Sequence, residues 1–123
     1  MKKLVYTLMF LVGFATVGFA QEATEIAMTE GSAKLEKSKT DGEYVFILNG
    51  KTEAEISASA AYYSHYFKVD FDESTQKASL HMVENDTRAR AVIMRFLVAS
   101  GVRHADVDGK VISVNDFMTD YLQ

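Results

Sequence analysis

An α+β sandwich is the fold class this chain predicts, and three observations predict it. Two apolar helical stripes alternate with strand-like segments. One is Ile56, Ala60, Tyr63 and Phe67; the other is Ala89, Val92, Ile93, Phe96 and Leu97. The run Tyr44-Val45-Phe46-Ile47-Leu48 is continuously apolar and closed by Asn49-Gly50, as in a buried central strand. Phe67, Val69 and Phe71, then Ala78, Leu80 and Met82, alternate with polar residues on either side of Glu73-Ser74-Thr75-Gln76. That pattern predicts a hairpin with one buried face.

The elements follow in order. Lys2 and Lys3 precede an uncharged, mostly apolar stretch over 4–19, and Gly18-Phe19-Ala20 places small residues at −3 and −1 before Gln21. Residues 1–20 therefore read as a secretory signal peptide, too short in its apolar run for a spanning helix of ~20 residues. The expected location is periplasmic or secreted, with no membrane attachment after cleavage. Residues 21–42 are rich in Glu and Lys, with Ile26, Met28 and Leu35 thinly spread, and read as a polar linker or arm. Ala33, Leu35 and Lys37 alternate with charges before Asp41-Gly42, a hairpin-type dipeptide that admits a short extra strand. The folded domain is expected over 43–123.

Within it, 44–48 is the first strand. Thr52 and Glu55 form a Thr-x-x-Glu capping box, and Glu53 sits in the first turn, where the helix dipole favours an acid. That helix is expected to run to about Tyr66. The hairpin follows. Asn85 or Asp86 then caps a second helix, which Gly101 closes. A strand over 103–107, an Asp108-Gly109 turn and a strand over 110–114 come next. Asn115 is expected to cap a short terminal helix bearing Phe117, Met118, Tyr121 and Leu122.

Composition excludes several kinds of chemistry. The chain has no cysteine, so disulfides, thiol redox chemistry and thiolate metal capture are closed to it. Loss of Lys2 and Lys3 takes the net charge from −4 to −6. A nucleic-acid binder needs a basic stripe, and an anionic membrane surface needs the same; both are disfavoured.

The order strand, helix, strand, strand, helix, strand is the split β-α-β, ferredoxin-like pattern (βαββαβ), a two-layer sandwich with both helices on one face of a four-stranded antiparallel sheet. Here it carries an extra C-terminal strand and short helix. From Tyr44 to about Val107 the chain resembles the heavy-metal-associated domain of copper chaperones and periplasmic mercury-binding proteins. The stretch Gly50-Lys51-Thr52-Glu53-Ala54-Glu55-Ile56 stands where that family has Gly-Met-Thr-Cys-x-x-Cys. Gly50 and Thr52 match; Lys51 takes the methionine position, Glu53 the first cysteine and Ile56 the second. Val69-Asp70-Phe71-Asp72 and Lys77-Ala78-Ser79-Leu80 are similar to its second and third strands, and Gly101-Val102 to the step ending its second helix. The resemblance covers about 64 of the 103 residues from Gln21. It implies the family's fold. It does not imply soft-metal transfer, since Cu(I) and Hg(II) need the thiolate pair.

Candidate sites follow from what remains. Glu53 and His81 are the metal-ligand candidates; His65 and His104 are scattered from them with no ligand spacing. Val45 and Ile47 point away from the helices if Phe46 and Leu48 point toward them. A strand apolar on both faces implies cover on both; the cover over Val45 and Ile47 is the terminal helix, the 21–42 arm or another chain, with the terminal helix the expected lid. Tyr62 and Tyr66 share an exposed face of the first helix, while Tyr63 and Phe67 enter the core. Val45, Ile47, Tyr62 and Tyr66 are thus the partner-binding candidates. No nucleophile, base and oxyanion donors combine, so no catalytic residue and no cofactor is expected. The expected function is an exported, non-enzymatic binding module derived from a heavy-metal-associated-type domain. Its partner is a protein or a small ligand, with a homodimer through the open sheet face as one form. The alternative is a metal-ion-binding protein using carboxylate or imidazole ligands.

Overall fold

The computed structural model describes residues 24–123. The expected signal peptide and its cleavage site lie outside the described residues. The chain forms β1 (Ile26–Thr29), α1 (Ser32–Asp41), β2 (Glu43–Leu48), α2 (Glu53–Ala61), β3 (Phe67–Asp72), β4 (Lys77–Met82), α3 (Thr87–Ala99), β5 (His104–Val107), β6 (Lys110–Ser113) and α4 (Val114–Phe117). The last helix continues into a π-helical turn, Met118–Leu122.

One mixed sheet of six strands runs in the order β3-β4-β2-β1-β5-β6. All its pairs are antiparallel except β1 with β5. The fold is therefore α+β, but the sheet is mixed rather than purely antiparallel. The reason is β1. It lies between β2 and β5, pairing Ala27 with Leu48 on one side and with Ala105 on the other. The segment 21–42, expected as a linker or arm, thus supplies an interior strand and a helix. Ala27 is fully buried. Ala33, Leu35 and Lys37 belong to α1 and not to an extra strand. Asp41-Gly42 is no hairpin turn: Gly42 is the left-handed C-cap of α1 (φ 73°), its N–H donating to the Ser38 carbonyl at 2.8 Å.

The other elements form where local chemistry sets them. Thr52 Oγ1 accepts from the Glu55 N–H at 3.2 Å and starts α2. Asp86 Oδ1 accepts from the Ala89 N–H at 2.8 Å and starts α3. Asn85 acts at longer range. Its side-chain amide donates to the Ser38 and Lys39 carbonyls at 3.0 and 2.7 Å, tying the end of α1 to the start of α3. At the far end of α3, Gly101 (φ 87°) donates to Val98 O at 3.0 Å and Val102 to Leu97 O at 2.9 Å, the paired bonds of a Schellman stop. The terminal helix is capped by Ser113, which accepts from the Asp116 N–H at 3.1 Å, rather than by Asn115. Helix α2 ends at Ala61, short of Tyr66, in successive turns.

The core lies on one face of the sheet. Tyr44, Phe46 and Leu48 of β2 are sealed there with Leu80, Ala105, Ile56, Ile93, Phe96, Phe117 and Leu122. The terminal helix packs on this face: the Phe117 ring meets Phe46 edge-on at 6.0 Å, and Tyr121 lies 5.9 Å from Phe117. This corrects the expectation that the terminal helix covers Val45 and Ile47. By strand parity those side chains point the other way. The helix is held where it is by Arg90, whose Nε donates to the Leu122 carbonyl at 2.7 Å. The rest of that buried guanidinium is taken up by the Asn85 carbonyl and the Thr87 hydroxyl.

Candidate functional site

The sheet's second face has no helix packed on it among the described residues. Register fixes its occupants. One row runs Asp72, Lys77, Ile47, Met28, Asp106, Val111 across all six strands. The next contains Asp70, Ser79 and Val45, and a third Lys68, His81 and Glu43. The apolar centre is Met28, Val45 and Ile47. Val45 and Ile47 are half-buried and Met28 is 38% exposed. Glu43, Asp72 and Asp106 stand around it with Lys77, leaving the rim acidic. A shallow depression of about 240 Å³ opens beside it, lined by Asp70, Phe71, Asp72, Lys77 and Ser79. Asp72 is held below its usual carboxylate range chiefly by the Ser74 hydroxyl, which donates to it at 2.6 Å.

Tyr62 and Tyr66 do not join this surface. Tyr62 is 80% exposed, and its ring lies 6.4 Å from Tyr63. Tyr66 lines a separate groove of about 330 Å³ with Glu84, Asp86, Arg88 and Ala89. Tyr63 and Phe67 stack at 6.3 Å, and Phe67 meets Phe96 edge-on at 5.7 Å, so that pair serves the core as expected.

The two metal-ligand candidates are apart. His81 Nδ1 lies 3.5 Å from Glu43 Oε1 on the open face. Glu53 is at the start of α2, beyond the other end of the strands. Its backbone N–H donates to Glu73 Oε1 at 3.0 Å, so a carboxylate of the chain already complements the helix N-terminus. The turn before it is clamped by Gln76, whose amide accepts from the Lys51 N–H at 2.9 Å and donates to the Lys51 carbonyl at 3.0 Å. Ile56, at the second cysteine position of the resemblance, is 1% exposed and belongs to the core. His65 and His104 are exposed on other elements. Among the described residues no three His, Asp or Glu side chains converge in a way that could hold a metal ion.

Sequence reasoning missed Met28, Glu73 and Gln76. Met28 lies in a strand of only four residues, whose single buried side chain is Ala27, too short for its alternation to register. Gln76 has a left-handed backbone (φ 61°), unusual for a non-glycine residue, and nothing in its side-chain type announces the clamp it makes. No helix among the described residues is long and apolar enough to cross a membrane. Compared with known proteins, the chain matches no family model, and no curated protein or solved structure is significantly similar to it.

Proposed function

We propose that this chain is an exported, non-enzymatic binding module that takes a protein partner on the open face of its sheet. The observation that carries the reading is the strip of Met28, Val45 and Ile47, apolar at the centre of the sheet and covered by no helix among the described residues. A contiguous apolar patch with a polar rim is the ordinary anatomy of an interaction surface. The rim of Glu43, Asp72 and Asp106 around it selects a partner with an apolar centre and basic margins. Export is supported by the charged start and apolar run of residues 1–20.

The fold's ancestry belongs to the same proposal. With β1 and β6 set aside, β2-α2-β3 and β4-α3-β5 are two interleaved β-α-β units, the ferredoxin-like arrangement. We read β1 as a strand admitted between β2 and β5 of such a unit. Descent from a heavy-metal-associated-type domain is supported by Gly50 and Thr52 at the start of α2. Thiolate transfer is not part of the function, because Glu53 is a carboxylate and Ile56 is core.

The test is an NMR titration of the chain from Gln21 with a peptide probe of alternating leucine and lysine. The expected shifts fall on Met28, Val45 and Ile47, and Ile47→Ser weakens them without altering the fold. Shifts confined to Tyr62 and Tyr66 would overturn the reading.

A further inference from the structure

The sheet ends on one side at β3, which has β4 as its only partner among the described residues. The register of β3 on β4 fixes which of its backbone groups are spent. The Val83 N–H donates to the Tyr66 carbonyl at 2.9 Å, so Tyr66 and Val83 are a hydrogen-bonded pair. In an antiparallel ladder such pairs alternate. Lys68, Asp70 and Asp72 therefore bond to β4, while Phe67, Val69 and Phe71 turn their peptide groups outward. The Phe67 N–H is used by Tyr63 O at 3.2 Å. The Phe67 carbonyl and both groups of Val69 and Phe71 remain directed off the edge. The side chains of Val69 and Phe71 are only half-buried against the core.

We propose that β3 pairs with β3 of a second copy, antiparallel about a two-fold axis at Val69, joining two sheets into one. Residues with outward peptide groups must face each other, which permits registers that pair Phe67, Val69 or Phe71 with itself or with another of the three. Pairing Phe71 with itself sets Asp70 against Asp72, and pairing Phe67 with itself leaves Lys68 opposite Tyr66. A pairing between Phe67 and Val69 sets Lys68 against Lys68. A pairing between Val69 and Phe71 sets Asp70 against Asp70. Like charges directly opposite are destabilising. The Val69-centred register alone puts each Lys68 opposite the Asp70 of the second copy, twice by symmetry. It also sets Phe67 beside Phe71 on the helical face and covers Val69 with its own counterpart. The two Val69 residues exchange both backbone bonds, and each Phe71 N–H reaches the other copy's Phe67 carbonyl. The interface is isologous, as a two-fold contact must be. The other sheet edge, β6, is shorter at four residues and leads directly into α4, giving less to pair. An unpaired edge strand is an aggregation hazard, and closed pairing removes it. The inference is independent of the open-face reading, which concerns the middle of the sheet.

Charge reversal tests it. Sedimentation velocity on the chain from Gln21 should show a dimer. Lys68→Asp should weaken it by roughly tenfold or more, because the new carboxylate meets Asp70; Asp70→Lys should do the same by meeting Lys68. Mixed together, the two variants should recover a one-to-one heterodimer, since every opposed pair is then complementary. Both positions are exposed, and the melting temperature of each variant reports that folding is intact. A chain that stays monomeric at millimolar concentration overturns the proposal. So does a dimer indifferent to both reversals, or a mixture that fails to associate.

Discussion

The two faces of β2 are one strand with two different obligations. Tyr44, Phe46 and Leu48 lie under the helices at 0, 0 and 1% exposure. Val45 and Ile47, alternating with them, are half-buried and, among the described residues, lie beside neighbouring strands with no helix over them. The residues are of the same kind, and position relative to the helical layer decides what each does. On the covered face a side chain contributes its full transfer energy and fills a shape that cannot collapse around its loss. On the open face it contributes part of that energy and leaves the rest available to a partner. Burial is complete on one side of this sheet and partial on the other, and the proposed function assigns the interaction to the partly buried side.

That division makes its largest prediction at adjacent residues. Phe46→Ala should cost about 3–5 kcal/mol, since it removes a ring packed on Phe117 and leaves a cavity. Ile47→Ala should cost about 1 kcal/mol, because its side chain is already partly in water. Urea unfolding of the two variants measures the gap. Equal costs would mean the open face is covered in solution.

Much of this division could be read from the sequence, and what could not has a physical reason. The run over 44–48, the hairpin over 67–82 and α3 carry strong periodicity because each buries a continuous face. Thr52, Asp86 and Gly101 announce helix ends through the backbone groups they satisfy. The segment before Asp41 lacks such signals. Helix α1 buries only Leu35 and Ser38, and its end is finished from a distance by the Asn85 amide. Strand β1 is defined by its neighbours on both sides and hardly by its own residues. The terminal helix was legible as a helix, with Phe117 and Tyr121 on one side. Which face of the sheet it covers is set by long-range contacts, Phe117 on Phe46 and Arg90 on the Leu122 carbonyl, that no local pattern encodes. The open-face centre was half legible: Val45 and Ile47 through parity, Met28 not at all.

The covered face has a weak point that sharpens the contrast. The Tyr44 hydroxyl is buried with no hydrogen-bond partner among the described residues. Burial pushes its pKa up to about 12, against the pull of the Arg90 guanidinium and with smaller upward pushes from Asp41 and Glu36. The folded state thus favours the neutral phenol. Its contribution to stability is fully present below the unfolded value near 10 and is lost as pH rises toward 12. At about 1.4 kcal/mol per unit, the loss is on the order of 2–3 kcal/mol. Tyr44→Phe should remove this part of the alkaline decline, and at neutral pH should melt at the same temperature or higher, because an unsatisfied buried hydroxyl is gone. Unfolding free energies at neutral pH and across pH 10–12 decide it. A variant that loses stability at neutral pH would mean the hydroxyl is satisfied in solution.

The smallest effect belongs to the open face. Glu43 and His81 approach to 3.5 Å, with both side chains about half exposed or more. Water screens such a pair, and holding two mobile side chains together costs entropy, so exposed pairs contribute about 0–1 kcal/mol. Glu43→Gln should therefore change the unfolding free energy by less than about 0.5 kcal/mol. The same substitution removes one acid from the rim around Met28, Val45 and Ile47. It should weaken a leucine-lysine peptide on that face, with a shallower salt dependence, while the melting curve stays in place. Loss of stability without loss of binding would invert the assignment of the two faces. Loss of binding at constant stability is what a surface freed from folding duty should give.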